Sequence, residues 1–430
     1  MFKVLIKLGQ SSVFYTFANA IEAIAPFLLA IIVTRLLSPS EYGIWVLFIA
    51  LVTFLRPIVS FSLQDALRMR FYDMDDHELA SFVWSFFFLI SVGTLCLVLV
   101  LTVYKETLEK ALDLPADWLP TIVVMSYFFA NFYFLLAYNQ FSRRPAHFLT
   151  LHIIQTVASL GIISALVSGD WGWTGIVLGK VLGLATATAL GAFWLNRELP
   201  IEAARTEKPA LTPLLKFGLV YLPAGMGLVA IPLTDRLIVT QVLSLAENGF
   251  YGVASLFGVA VFVAINGILY AWMPWLFKRL KELPSSAPEI RLVSVIFFLV
   301  LPLGGLLAYL ISIPIAPIVI GGRFDSAFPL IPWAIAGSVA MGFFFHWQTF
   351  LLSEKAILEM SISSCLCIVS NAVFSYYGAI HFGLTGVFAA TIAAFLLSAS
   401  LSTGFTALQF PNFKLRTKNT REVSNEPGRD

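Results

Sequence analysis

One stretch occurs twice, and no other feature constrains the fold as much. Pro26–Gly43 reads PFLLAIIVTRLLSPSEYG, and 206 residues later Pro232–Gly249 reads PLTDRLIVTQVLSLAENG. Eight of the eighteen positions are identical without a gap: Pro26/Pro232, Ile32/Ile238, Val33/Val239, Thr34/Thr240, Leu37/Leu243, Ser38/Ser244, Glu41/Glu247 and Gly43/Gly249. A match this dense at a fixed period points to internal duplication. Each copy ends one apolar segment, is read as turning through Ser-x-x-Glu-x-Gly, and enters another. Tyr15 matches Tyr221 at the same spacing, and Gly172–Ile176 (GWTGI) matches Gly383–Val387 (GLTGV) at an offset of 211. Two similar halves are expected, residues 1–196 and 212–410, with a charged cytoplasmic linker at 197–211 and a disordered cytoplasmic tail at 411–430.

The fold class follows from how much apolar sequence the chain carries. Of 430 residues, 59% are hydrophobic and 12% charged, about half the charge of a soluble domain. Helices that are apolar on both the lipid-facing and the packed side account for this. Runs of about 20 apolar residues cross a bilayer, and twelve are found: 12–36, 43–62, 79–103, 119–140, 149–168, 173–195, 214–243, 249–273, 292–316, 328–352, 357–379 and 384–408. Pro223 and Pro232 predict a kink in the seventh. The chain is therefore read as an all-α polytopic membrane protein, twelve transmembrane helices in two parallel six-helix repeats. Lys3 and Lys7 precede a run too long for a signal peptide, so the first helix is expected to be retained.

Basic residues set the orientation. With an inside start, 20 of the 27 Lys and Arg fall on one side and four on the other, while Arg56, Lys180 and Arg236 lie within helices. The positive-inside rule puts both termini of this multi-pass chain in the cytoplasm. Trp45, Trp118, Trp171 and Trp173 sit at outer helix ends and are read as an interfacial belt. Gly175, Gly179, Gly183, Ala187 and Gly191 recur every fourth position, a close-packing ridge expected to face a neighbour within its own half rather than a second copy. Cys96, Cys365 and Cys367 are read as plain core residues.

Enzyme signatures are absent. There is no phosphate loop and no Gly-x-Ser-x-Gly, the five histidines lack metal-ligand spacing, and no connection is long enough to house a catalytic domain. No cofactor and no metal are expected. The informative residues are ionisable groups within helices, Glu22, Arg56, Lys180, Asp235 and Arg236, because a charge at mid-membrane needs a cavity or a partner. Arg56, Lys180 and Arg236 are candidates for a cationic, substrate-binding cavity, since guanidinium forks match phosphate oxygens. Glu22 and Asp235 are candidates for ion coupling. Each has a plainer alternative: Lys180 and Arg56 snorkelling to an interface, Glu22 as a hydrogen-bonded structural acid, and Asp235 or Arg236 as a structural pair-former at the interface of the halves.

Four motifs, in this order and spacing, resemble one known family. Arg35–Gly43 (RLLSPSEYG) is similar to the Arg-Leu-Leu-x-Pro-x-x-Tyr-Gly turn of the Wzx-type polysaccharide (O-antigen) flippases, a branch of the multidrug/oligosaccharidyl-lipid/polysaccharide exporter superfamily. Asp235-Arg236 resembles the Asp-Arg pair of their seventh helix, Ala271–Phe277 (AWMPWLF) the aromatic-Pro segment after the eighth, and Gly321–Phe324 (GGRF) the Gly-x-x-Phe/Tyr element before the tenth. The resemblance implies a MATE-like V-shaped pair of six-helix bundles that works by alternating access, with the ion coupling that is proposed for such transporters. It implies an undecaprenyl-pyrophosphate-linked oligosaccharide as substrate, moved from inner to outer leaflet for lipopolysaccharide or another surface polysaccharide. Of the three cations only Arg236 lies in a matching motif. The implied partners are that lipid-linked sugar, membrane lipids and other polysaccharide-assembly proteins, with no nucleic acid. A drug or cation antiporter of the same superfamily and a membrane enzyme of polysaccharide assembly are the alternatives. Twelve helices rather than fourteen argue against the lipid II flippase branch.

Overall fold

A computed structural model of the chain describes residues 21, 23–72, 74–106, 118–204, 222, 229–282, 288–354 and 356–409. Each of the twelve predicted runs contains helix among them. The first six helices are α1 (Ala23–Leu36), α2 (Pro39–Ser60), α3 (Asp76–Val103), α4 (Trp118–Phe141), α5 (Pro145–Ser168) and α6 (Gly172–Glu198). The second six are α7 (229–238, running into a π turn at Val239–Leu243), α8 (Leu245–Glu282), α9 (Pro288–Val319), α10 (Ile331–Ser353), α11 (357–382) and α12 (384–409). Among the described residues nine spans are long and apolar enough to cross a membrane. The last, Leu358–Leu408, is 51 residues long, about 77 Å if straight, and is two crossings. The chain reverses at Gly383 (φ 60°), and Gly378 and Gly386 lie backbone to backbone, so that a Cβ on either would overlap the other's carbonyl.

Several boundaries differ from the sequence reading. The connection expected at 62–78 contains a short helix, Leu63–Arg70, with Leu63, Ala66 and Leu67 buried and Arg68 exposed. Helix α8 continues to Glu282, past the expected end at 273. In the seventh run the irregular turn is the π turn at Val239–Leu243, while Pro223 lies outside the described residues, as do Tyr15, Tyr221, residues 205–211 of the linker and the tail.

The repeated stretch is a helix start rather than a loop. Ser38 caps α2 and forms a full capping box with Glu41 (Ser38 N to Glu41 Oε2, 2.9 Å; Glu41 N to Ser38 Oγ, 3.3 Å). The second copy keeps half of it, Glu247 N donating to Ser244 Oγ at 3.1 Å. Helix therefore begins before the glycine in both copies, because the cap satisfies the first-turn N–H groups. Gly43 and Gly249 are then inside helices, where they serve contact. A Cβ on Gly43 would overlap the carbonyl of Leu245, and one on Gly249 that of Pro39. Since 39 and 245 are themselves repeat equivalents, the contact is reciprocal. Asn248 Nδ2 donates across it to the Gly43 carbonyl at 2.8 Å.

This contact lies at the end assigned to the outside by the basic residues, here the outer end. The largest buried cluster spans both groups of six helices there, with Val46, Phe48, Val253, Phe257 and Phe324 among its members. Deeper in, the cores separate. One draws only on residues 63–199, and two others only on residues 231–399. Trp45 is 5% exposed within the shared core, Trp118 is buried against Trp173 (4.9 Å between rings), and Trp171 alone of the four is open, at 53%. Three of the four expected belt tryptophans are thus packing residues, because helix ends meet one another where the sequence suggested a lipid interface. Gly175, Gly179 and Gly183 face Leu166, Ile163 and Ser159 of α5, so the ridge packs inside its own half. Of the cysteines only Cys367 is in a core; Cys96 and Cys365 are exposed.

Candidate functional site

The intramembrane charges fall into two groups. In the first half, Arg56 on α2 lies over the ring of Tyr133, 4.7 Å from its centroid. Tyr133 stacks against Phe129, one turn earlier on α4, at 6.1 Å and 13°. Lys180 on α6 lies 5.7 Å from the Phe129 centroid. The order is cation, ring, ring, cation, all four side chains half-buried. Counted at 1.5 Å per residue from the outer helix ends, Arg56 lies about 26 Å deep and Lys180 about 12 Å, so the row runs obliquely along the membrane normal. Among the described residues Arg56 forms no ion pair, and its Nε is buried without an acceptor. A cation over a ring gains about 0.5–2 kcal/mol, which holds it in place without neutralising it. Such a cation is disposed to meet an anion.

In the second half the charge is negative and enclosed. Asp235 on α7 is 1% exposed. Tyr251 of α8 donates to its Oδ2 at 2.9 Å and Ser375 of α11 to its Oδ1 at 2.8 Å, and Thr391 Oγ1 of α12 lies 3.0 Å from Oδ2. Asn371 Nδ2 supports this ring from Thr391 (3.2 Å) and Ser375 (3.3 Å). A carboxylate ringed by hydroxyl oxygens offers the ligand type that suits a proton or a hard cation. Arg236 leaves this cluster by the turn of the helix. Its Nη1 donates to the Pro232 carbonyl at 2.9 Å, and its guanidinium lies 5.9 Å from the Tyr251 ring. Asp235 and Arg236 do not pair, which their 100° separation on a helix predicts.

The structure therefore brings Arg56 and Lys180 onto one aromatic row and sets Asp235 and Arg236 on the far side of the molecule's seam. Glu22 lies outside the described residues. Sequence reasoning missed Phe129, Tyr133, Tyr251, Asn371, Ser375 and Thr391. Phe129 and Tyr133 were hidden among 39 Phe and 13 Tyr, although their four-residue spacing puts them on one helix face.

With this geometry in view, the comparisons with known proteins bear on it directly. A family described as "Polysaccharide biosynthesis protein" matches residues 32–329. The chain belongs to that family. No curated protein matches its sequence. Among solved structures, the chain resembles an inward-facing multidrug resistance MATE family transporter of the MOP superfamily (TM-score 0.72, 12% identity, 95% of this chain and 100% of that one). It also resembles the lipid II flippase MurJ in an inward closed conformation (0.68, 16%, 94% and 89%). An outward-facing MATE transporter of the same superfamily gives 0.59 at 11% identity over 95% and 96%. At such identities the likeness establishes the fold: an all-helical, multi-pass membrane protein of MATE and MurJ type. Family and fold together support a membrane flippase or transporter rather than an enzyme.

Proposed function

We propose that the protein flips an undecaprenyl-pyrophosphate-linked oligosaccharide, the repeat unit of O-antigen or another surface polysaccharide, from the inner to the outer leaflet of a bacterial inner membrane, with both termini cytoplasmic. The observation that carries this reading is the row Arg56–Tyr133–Phe129–Lys180. Two cations at different depths, separated by stacked rings, match a substrate in which anionic groups and sugar rings alternate: phosphate oxygens meet the cations, and sugar faces meet the rings. An apolar drug or an organic cation has no use for such a row.

In this reading the divided cores open the cavity inward, the head enters between the halves, and separation of the Gly43–Gly249 contact opens the path outward. Asp235 couples the change to a proton or cation, because binding there alters charge where α7, α8, α11 and α12 converge. The work of flipping then comes from an ion gradient. Arg236 faces the substrate from the second half.

The test is deletion with complementation, followed by analysis of lipid-linked sugars by leaflet. Deletion should leave undecaprenyl-linked repeat units facing the cytoplasm, and Arg56→Ala should fail to restore surface polysaccharide while still accumulating in the membrane. Unchanged polysaccharide together with increased drug sensitivity would replace this reading with the cation antiporter, for which the buried Asp235 is the favouring observation.

A further inference from the structure

Helices α8 and α9 enclose an apolar groove. Its outer part, about 330 Å³, is walled by Phe257, Ala260, Ala264, Gly304 and Ala308 and bordered by Phe27 of α1. Its inner part, about 400 Å³, is walled by Trp272, Trp275, Ile296 and Phe297. Both parts include Ile268 and Val300, so they are one groove. From Phe257 to Trp275 it follows α8 for about 27 Å, close to the roughly 30 Å of a bilayer's hydrocarbon core. Small residues on both walls make it narrow. Gly305 closes its floor against Val339 of α10, and Gly304 opens into it with nothing within 4 Å of where a Cβ would stand.

We infer that this groove holds the isoprenoid chain of a polyprenyl-phosphate-linked substrate while its head crosses between the halves; the inference rests on the function proposed above. Three observations select this occupant. The groove passes through both leaflets, whereas one phospholipid acyl chain spans about half the 30 Å core. Its inner mouth carries Lys278 one turn beyond Trp275 and Arg291 near the start of α9, beside an Arg279–Glu289 ion pair at 3.5 Å, a positive balance that suits a phosphate there. Its outer part adjoins the seam, where Phe27 of the first half meets Phe257 of the second edge-on at 5.5 Å. Chain and head can thus move in parallel, the chain along the groove and the head beside it. The inner end is also lined by ring faces, Trp272 stacked on Trp275 at 5.1 Å and backed by His346, which suit an unsaturated chain.

Gly304→Phe fills the groove from an open position, and Ala264→Trp fills it from the opposite wall. Gly93→Phe is the control: Gly93 lies on the lipid-facing side of α3 with equally open space around it. Binding of undecaprenyl phosphate to the purified full chain would be measured by native mass spectrometry, in competition with dioleoyl phosphatidylglycerol. Wild type and the Gly93→Phe control should bind undecaprenyl phosphate equally, and each groove variant at least about tenfold more weakly, with unchanged elution as a folded monodisperse protein. Equal binding by the groove variants, or one-for-one displacement by the phospholipid in wild type, would overturn the inference. Loss of sugar flipping does not enter this measurement. A chain that binds undecaprenyl phosphate through the groove but moves no sugar keeps this inference and sinks the proposed function; flipping without groove-dependent binding does the reverse.

Discussion

The two halves carry charge at places where the other half is neutral. At the offset of 211 that relates Gly172–Ile176 to Gly383–Val387, Lys180 corresponds to Thr391; at 206, Asp235 corresponds to Leu29 and Tyr251 to Trp45. In the second half these positions build the Asp235 cluster. In the first they supply one cation over a ring, and Leu29 and Trp45 join the apolar core shared by the halves. One scaffold, used twice, thus presents a cationic row on one side and a closed acid on the other. The difference teaches that duplication conserved what sets backbone geometry, the proline, the capping serine and glutamate and the glycine, and released the positions that choose a ligand.

The largest expected effect comes from removing the acid. Asp235→Asn keeps the size of the side chain and one of its two accepting oxygens, and its amide can donate to a rotated hydroxyl, so the protein should accumulate normally. Transport in proteoliposomes should lose its dependence on an imposed ion or pH gradient and fall by about tenfold or more, the scale of one coupling free energy. A retained gradient response would return Asp235 to a structural role and end the comparison as a functional one. Next comes the row. Arg56→Ala should reduce transport of an anionic lipid-linked sugar about tenfold, the loss of one charge-assisted contact, with Arg56→Lys intermediate because it keeps charge but not the fork. If Lys and Ala variants were equally impaired, geometry rather than charge would be the property that matters.

Smaller effects sharpen the picture. Gly43→Ala sets a methyl group against the Leu245 carbonyl, an overpacking of about 1–3 kcal/mol borne by the outward-closed form alone. Cysteine pairs across the outer end should then crosslink less, while Gly93→Ala, with open space, should leave crosslinking unchanged. Lys180→Thr, which gives the first half the residue of the second, should weaken substrate binding by only a few fold, because Arg56 remains on the same row. A larger loss there than at Arg56 would move the centre of the site outward.

Much of the fold was readable because bilayer crossing leaves a long apolar signature in sequence. The seventh-helix acid was readable too, since an aspartate is conspicuous among apolar neighbours. Its ring of partners was not. Ser375 and Thr391 lie 140 and 156 residues from Asp235, and hydroxyls of the same kind elsewhere simply bond their own helix, as Ser400 does to the Leu396 carbonyl at 2.8 Å. Residue type could not tell the two uses apart. Gly43 misled for a related reason. A glycine after a capping box reads as part of a turn, yet its purpose is set by Leu245, on a helix more than 200 residues away. The tryptophans failed in the same manner, because a helix end that meets lipid and one that meets another helix end have the same composition.

The reciprocal glycine contact bears on where such a chain comes from. Pro39 meets Gly249 as Leu245 meets Gly43, the self-complementary pattern of a two-fold dimer interface. A six-helix ancestor with this patch could pair with its own copy, both subunits inserted the same way up, before any fusion of genes. As long as two copies were separate products of one gene, every substitution altered both sides of the seam at once. Joined in one chain, the sides could diverge. Position 42 is now a tyrosine ring set against Phe324, while its equivalent, Asn248, reaches across to a carbonyl. Fusion made an asymmetric binding path available to a symmetric hinge.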